Sequence, residues 1–207
     1  MNIIIHPTYF PSIAHFVAIV KTENIMFETD DNFVKQTYRN RTHIYSPNGK
    51  LVLNIPVVHS QKNRQKYRDV KIFNAQKWQQ THWKSILTAY SNSPFFEFYK
   101  DELVPLFKKP HEFILDFNLS CFESICSCLQ LKLNLRSSKS YTETVKNFTD
   151  FRHLVNAKKE KAYGFRPYVQ VFHAKYGFIP NLSILDLLFN EGPNTVNYLE
   201  SQTLQGV

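Results

Sequence analysis

Three short stretches hold residues with chemistry to offer. The first is the loop His6-Pro7-Thr8-Tyr9-Phe10-Pro11, continuing to His15. It follows a strand-like run, and in open α/β sheets ligands bind beyond the carboxyl ends of strands. His6 and Tyr9 can serve there as donors or acid/base groups, and the helix start behind them offers unpartnered N–H groups to an anion. The plainer alternative is a turn stiffened by prolines and rings, with His15 packed in the helix. The second stretch is Glu28, Asp30 and Asp31, on the same sheet edge. Clustered carboxylates can bind a metal, orient an amine or share a proton; acids after a strand are also ordinary loop composition. The third is Lys35-Gln36-Thr37-Tyr38-Arg39-Asn40-Arg41. Guanidinium forks bind phosphate and carboxylate oxygens bidentately. If 39–41 is extended, Arg39 and Arg41 point one way and Asn40 the other. A solvated charge run, or arginines pairing with Asp30 or Asp31, is the alternative.

Other polar residues carry weaker signals. His82 lies between Trp78 and Trp83 and reads first as a packed helix residue, second as a ligand contact. Cys121, Cys126 and Cys128 lack a fourth ligand at zinc spacing and read as core. No metal site and no nucleophile–base–orienter set follows from spacing. Asn181 precedes the run Ser183 to Phe189, apolar almost all round, with Ser183 as a helix N-cap and Gly192-Pro193 as the stop. Asp186 inside that run needs a partner, because an unpaired buried carboxylate is costly. A structural role, capping the backbone or pairing with an arginine, competes there with catalysis.

The elements that must position these groups read as follows. Ile3 to Ile5 is a buried strand, 12–21 an amphipathic helix on Ile13, Phe16, Val17 and Val20, and Asn24 to Glu28 a second strand. Strand, helix, strand is a βαβ unit, expected to be parallel and right-handed. The Asn48-Gly49 pair between 42–45 and 51–55 predicts a hairpin. Residues 59–71 form a basic loop, and Asp69 to Phe73 one more edge strand. Helices follow from about 75, with Ala75, Trp78, Trp83, Ile86, Leu87 and Tyr90 on one face, then over 95–107, then over 111–131. The fold class is thus α/β: a βαβ unit plus hairpin in a small mixed sheet (1–74), followed by a mainly helical half (75–207). A length of 207 residues fits one domain.

Composition narrows the functions. Only 5 glycines occur, with no G-x-G-x-x-G and no G-x-x-x-x-G-K, so Gly-rich phosphate loops are excluded and no cofactor is assigned. The clustered cysteines and the absence of a signal-like start predict a cytoplasmic protein without disulfides. No run approaches the ~18 apolar residues of a membrane span. The net charge of +8 favours anionic partners, such as a nucleotide-sugar, a nucleic acid or a membrane surface.

Taken together, the chain resembles the WbqC-like family, in the branch common among Bacteroidetes-type bacteria. The resemblance rests on His6 to Phe16, Glu28 to Asp31, Lys35 to Arg41, Asn48-Gly49 and Ile55-Pro56-Val57. Trp78, His82, Tyr90, Ser93 to Phe96, Tyr168 to Phe172 and Gly177 to Pro193 complete it, about residues 3–199. It implies an association with polysaccharide and O-antigen gene clusters and a suggested glycine transferase role. His6 stands where many members have Gln. A fainter similarity is to class I nucleotidyltransferase-like folds, which open with a strand, a Pro-Thr pair and a helical histidine like His15. Their second histidine, three residues earlier, is Ser12 here.

Three functional expectations follow. The first is an acyl or aminoacyl transferase acting on an amino sugar. His6 or Tyr9 would move the proton, Asp30 or Asp31 would orient the amine, and Lys35, Arg39 and Arg41 would hold phosphates. Glu28, Asn40, His82, Asn181 and Asp186 are further substrate contacts, and an aminoacyl donor is a partner. The second is a non-catalytic nucleotide-sugar-binding or assembly protein of the same pathway. The third is a nucleic-acid-binding protein, with tRNA as a glycyl donor.

Overall fold

β-branched runs without polar interruption build the centre of the molecule. The computed structural model describes residues 1–58 and 64–204. Strand β1 (Asn2–Ile5) pairs in parallel with β2 (Asn24–Phe27), Ile3 opposite Ile25 and Ile5 opposite Phe27. Between them runs α1 (Ile13–Ile19), every residue of which is buried. Its first-turn N–H groups are not open to solvent: Ile13 donates to the Leu182 carbonyl and Ala14 to Asn181 Oδ1, at 2.9 and 2.7 Å. The anion expected at this helix start is therefore replaced by the chain's own 181–184 segment.

A hairpin follows, β3 (Arg41–Ser46) against β4 (Gly49–Asn54). Ser46 pairs with Gly49, so the two-residue turn is Pro47-Asn48 and Gly49, at φ +92, opens the return strand. The hairpin stands as its own two-stranded sheet instead of joining a mixed one. Both edges of the β1–β2 pair are already taken by strands from the second half. β5 (Asn134–Ser137) pairs with β2, and β6 (Thr149–Asp150) pairs with β1, both in parallel. These strands gave no signal in the sequence, because β5 is exposed along its whole length and β6 has only 2 residues.

The sheet order is β5-β2-β1-β6. Numbered by appearance within this sheet, the order is third, second, first, fourth. The chain leaves β1 toward one side, and its last strand returns on the other. The carboxyl ends of β1 and β6 therefore frame a topological switch point, where open α/β sheets place ligands.

Helices α2 (Trp78–Tyr90), α3 (Phe96–Lys108) and α4 (Ile114–Cys128) pack against one another; α2 also lies against β3, and Phe122 of α4 meets Phe27 of β2. Phe117, Phe122, Ile125 and Leu129 point inward, and Cys121 is buried among apolar side chains. Asp69 to Phe73 is not a strand: a 3-10 turn covers Tyr67–Asp69, and Lys71 and Ile72 make single bridges to Phe113 and Val57. The expected basic loop falls partly on 59–63, outside the described residues.

The remaining helices are α5 (His173–Tyr176), α6 (Ile184–Glu191) and α7 (Thr195–Ser201). Ser183 Oγ caps α6 by accepting from Leu185 N–H. Gly192 ends it at φ +53, where a Cβ would meet Phe95 ring carbons at 2.5 Å. Left-handed strain and overpacking together make Gly192→Ala destabilising by ~2–4 kcal/mol. Urea unfolding checks this: a lower midpoint at unchanged slope is expected, and an unchanged midpoint would refute the packing described.

Candidate functional site

All four parallel strands end at one rim, and the loops leaving them line a cavity of about 730 Å³. His6 follows β1, Asp31 follows β2, Tyr141 follows β5 and Arg152 follows β6. Lys35, Arg39 and Lys158 add positive charge; Asp31, Glu143 and Asp150 add negative.

A compact group forms the cavity floor. Arg39, only 2% exposed, donates from Nη2 to Asp31 Oδ2 at 2.7 Å and to His6 Nε2 at 2.6 Å. Its Nη1 donates to the Asn32 carbonyl at 3.0 Å, and its guanidinium lies 5.3 Å from the Tyr67 ring centroid. His6 Nδ1 lies 3.3 Å from the Arg152 carbonyl, which can only accept. The ring proton therefore sits on Nδ1, and Nε2 accepts from Arg39. Asp31 Oδ2, 3.0 Å from Nε2, accepts the other Nη2 proton. Burial lowers the His6 pKa to about 4, with Arg39 adding to the shift and Asp31 opposing it. His6 is thus a neutral acceptor at physiological pH. Burial works against the Asp31 carboxylate, but His6 and Arg39 outweigh it and bring the pKa down to about 2. The Asp31 side chain is 25% exposed, against 4% for His6, so the carboxylate is the group that a ligand reaches.

Arg152 braces this floor. It forks onto Asp150, donates to the Thr142 and Glu143 carbonyls, and lies 3.5 Å from Glu28 Oε2. With its donors committed, it shapes the site more than it offers charge. By contrast, Lys35 and Lys158 have no side-chain partner among the described residues and face the cavity free.

The WbqC-like protein family matches residues 6–164. The chain belongs to that family. A relative from Mycobacterium tuberculosis, described as uncharacterized protein Rv1507c, is 26% identical over 225 residues, covering 95% of this chain and 96% of the relative. No solved structure matches. The span matched by the WbqC-like family contains every residue lining the large cavity. Asn181 and Asp186 lie beyond it.

The WbqC-like chain distributes the expected residues among several places. His6, Asp31, Lys35 and Arg39 meet at the cavity. Tyr9 does not: its hydroxyl lies 2.9 Å from His82 Nδ1, and its ring packs beside Phe10 and Phe117 in the core. His82 is buried there too, its pKa lowered to about 4 by burial. Asp30 turns to Lys66 and Arg68, at 3.1 and 3.0 Å. Glu28 is fully buried, accepting from Ser138 Oγ and Asp30 N–H. Asp30 and Glu28 therefore point away from Asp31. Among the described residues, no group of three or more His, Cys, Asp or Glu could hold a metal.

Arg39 and Arg41 do not share a direction. Residues 38–40 form a turn, closed by Asn40 N–H donating to the Thr37 carbonyl, and the alternation of an extended chain is lost. Asn40 holds Asn54 and Gln36. Asn181 caps α1 and also donates to Glu160. Glu160 accepts from Tyr38 Oη at 2.5 Å as well, while Ser12 Oγ sits 2.9 Å from His15 Nδ1 behind them. Asp186 is enclosed by Tyr90, Tyr168 and Gln170, with no arginine.

Tyr141, Glu143, Asp150, Arg152, His153 and Lys158 line the cavity without having been singled out in the sequence. Their strands are too short or too exposed to read. The clue that was available is the charged composition of 150–161, without a helical or strand period.

Proposed function

We propose that the large cavity binds an anionic, amine-bearing small molecule, with a nucleotide-linked amino sugar as the ligand class, and that the protein acts as an acyl or aminoacyl transferase on it. The placement within surface-polysaccharide or O-antigen synthesis rests on the family resemblance. The observation that carries the binding reading is Asp31: an ionised carboxylate, held by the Arg39 guanidinium that also donates to His6, facing a cavity with Lys35 and Lys158 unpaired among the described residues. Asp31 receives the amine or a sugar hydroxyl, and the lysines receive oxyanions. In transfer, the amine nitrogen forms a bond to the activated acyl carbon, the bond to the leaving group breaks with its electron pair, and a base takes the amine proton. His6 Nε2 is the base nearest Asp31.

One observation favours binding without turnover. A histidine held at about 4 is a weak base at neutral pH, because general-base catalysis is best with a pKa near the working pH.

Calorimetric titration with a uridine-diphosphate amino sugar, followed by assay with glycyl thioesters and glycyl-tRNA, tests both readings. Asp31→Asn is expected to weaken binding about 10- to 100-fold, the range for a hydrogen bond to a charged group. Equal binding by the variant and the wild type, or no binding by either, would refute the reading. Binding with no acyl product from any donor would leave the binding protein and remove the transferase.

A further inference from the structure

A smaller cavity of about 280 Å³ adjoins the large one, and Lys35 and Gln36 line both. Asn40, Arg41 and Asn54 form its polar wall, and among the described residues no acidic side chain lines it. Arg41 opens β3, opposite Asn54. It differs from the other arginines around the site. Arg39, Arg68 and Arg152 each hold a carboxylate, at 2.7, 3.0 and 2.6 Å. The Arg41 side chain has no hydrogen-bond or ion-pair partner among the described residues; its Nε, like that of Arg39, is buried without an acceptor. The titratable groups it acts on, Tyr38 and His43, are both neutral, and burial pulls its own ionisation down.

A buried guanidinium N–H without an acceptor calls for a partner that the described residues do not supply. A second unpaired cation, Lys35, faces the same space. The wall between the cavities is also unusual. Gln36 sits at φ +61, a left-handed conformation disfavoured for a side-chain-bearing residue, and is held there by Asn40 Oδ1 accepting from its N–H at 3.2 Å. Local strain of this kind persists where the surroundings enforce it, and it gathers at ligand sites.

We infer that Arg41 and Lys35 form a phosphate subsite, with the Asn40 and Asn54 amides beside it, separate from the Asp31 floor of the large cavity. The inference rests on the proposed anionic ligand, and it assigns the phosphate to Arg41 instead of Arg39, whose Nη1 and Nη2 already hold Asn32, His6 and Asp31. The guanidinium fork meets two phosphate oxygens, and Lys35 serves as a mobile point charge between the cavities.

Pyrophosphate, which has no amine, tests the subsite apart from the Asp31 reading. Calorimetry on the whole chain is expected to show pyrophosphate binding that Arg41→Gln weakens about tenfold or more, as expected for loss of a charge-assisted fork. Asp31→Asn should leave pyrophosphate binding intact, and Arg41→Lys should recover only part of it. Because the Arg41 side chain has no partner among the described residues, Arg41→Gln should melt at or above the wild-type temperature, which removes misfolding as an explanation. No pyrophosphate binding by the wild type, or equal binding by Arg41→Gln, overturns the subsite and leaves the amine reading to its own titration. Pyrophosphate binding lost in Arg41→Gln while Asp31→Asn binds the amino sugar normally upholds the subsite and refutes the Asp31 reading alone.

Discussion

Asp186→Ala is expected to destabilise the protein by ~3–5 kcal/mol, because three buried donors lose their acceptor at once. Asp186 lies in α6 and has no solvent exposure. Tyr90 Oη donates to Oδ1 at 2.9 Å; Tyr168 Oη and Gln170 Nε2 donate to Oδ2 at 2.5 and 2.9 Å. Tyr90 Oη in turn accepts from Tyr45 N–H, so the carboxylate ties α6, α2, the hairpin and the 168–170 segment together. Alanine strands two phenols and an amide, each costing ~1–3 kcal/mol when buried without a partner. Asp186→Asn retains one acceptor oxygen and should lose less. Urea unfolding measures both.

The same residue sets a pH dependence. Burial raises its pKa from 3.8 to about 6, although its three hydrogen bonds pull the other way. The native state therefore binds this proton more tightly than the unfolded chain. The resulting stabilisation is full below about 4 and is lost as the pH rises through about 6. Relative to Asp186→Asn, the wild type should lose stability across that window. A pH-independent difference between the two would count against a raised native pKa.

Arg39→Met should have a comparable effect, also ~3–5 kcal/mol, because it leaves Asp31 without its buried cationic partner. It carries a second readout that a packing defect alone would not move. Burial is the largest cause of the low His6 pKa and remains in the variant. The repulsion from Arg39 disappears, so the His6 pKa should rise from about 4 but stop short of the ordinary 6.5. Asp31 should rise from about 2, having lost the cation that favours its charge. Proton NMR titration of the His6 ring follows the first change, and an unmoved His6 would contradict the triangle of Arg39, His6 and Asp31. Arg41→Gln is the contrasting case: two residues along the chain, it removes a cation with no side-chain partner among the described residues, and the fold should tolerate it.

Local patterns were enough for several elements. Ile3 to Ile5, the Ile13-Phe16-Val17 spacing and Asn24 to Glu28 specify strand, helix and strand, because a short unbroken apolar run suits a strand buried on both faces and a 3.6 period suits a helix. Ser183 and Gly192 mark the ends of α6 for equally local reasons, a hydroxyl cap and a left-handed stop. The family resemblance was also legible, since its motifs are ordered residues and need no coordinates.

Other features depend on contacts between residues far apart in sequence. β5 and β6 carry almost no strand signal of their own; they become strands because β2 and β1 present unpaired edges to them. That pairing excludes the hairpin from the main sheet and brings Arg152 to within 3.3 Å of His6, 146 residues away. Tyr9 meets His82 across 73 residues, and so leaves the cavity that its position in the first loop had suggested. The 38–40 turn sends Arg39 into the floor and leaves Arg41 beside a separate space. Side-chain type and spacing specify what a short segment prefers; where its charges end up depends on which distant backbone groups satisfy it, a choice made by the whole chain at once.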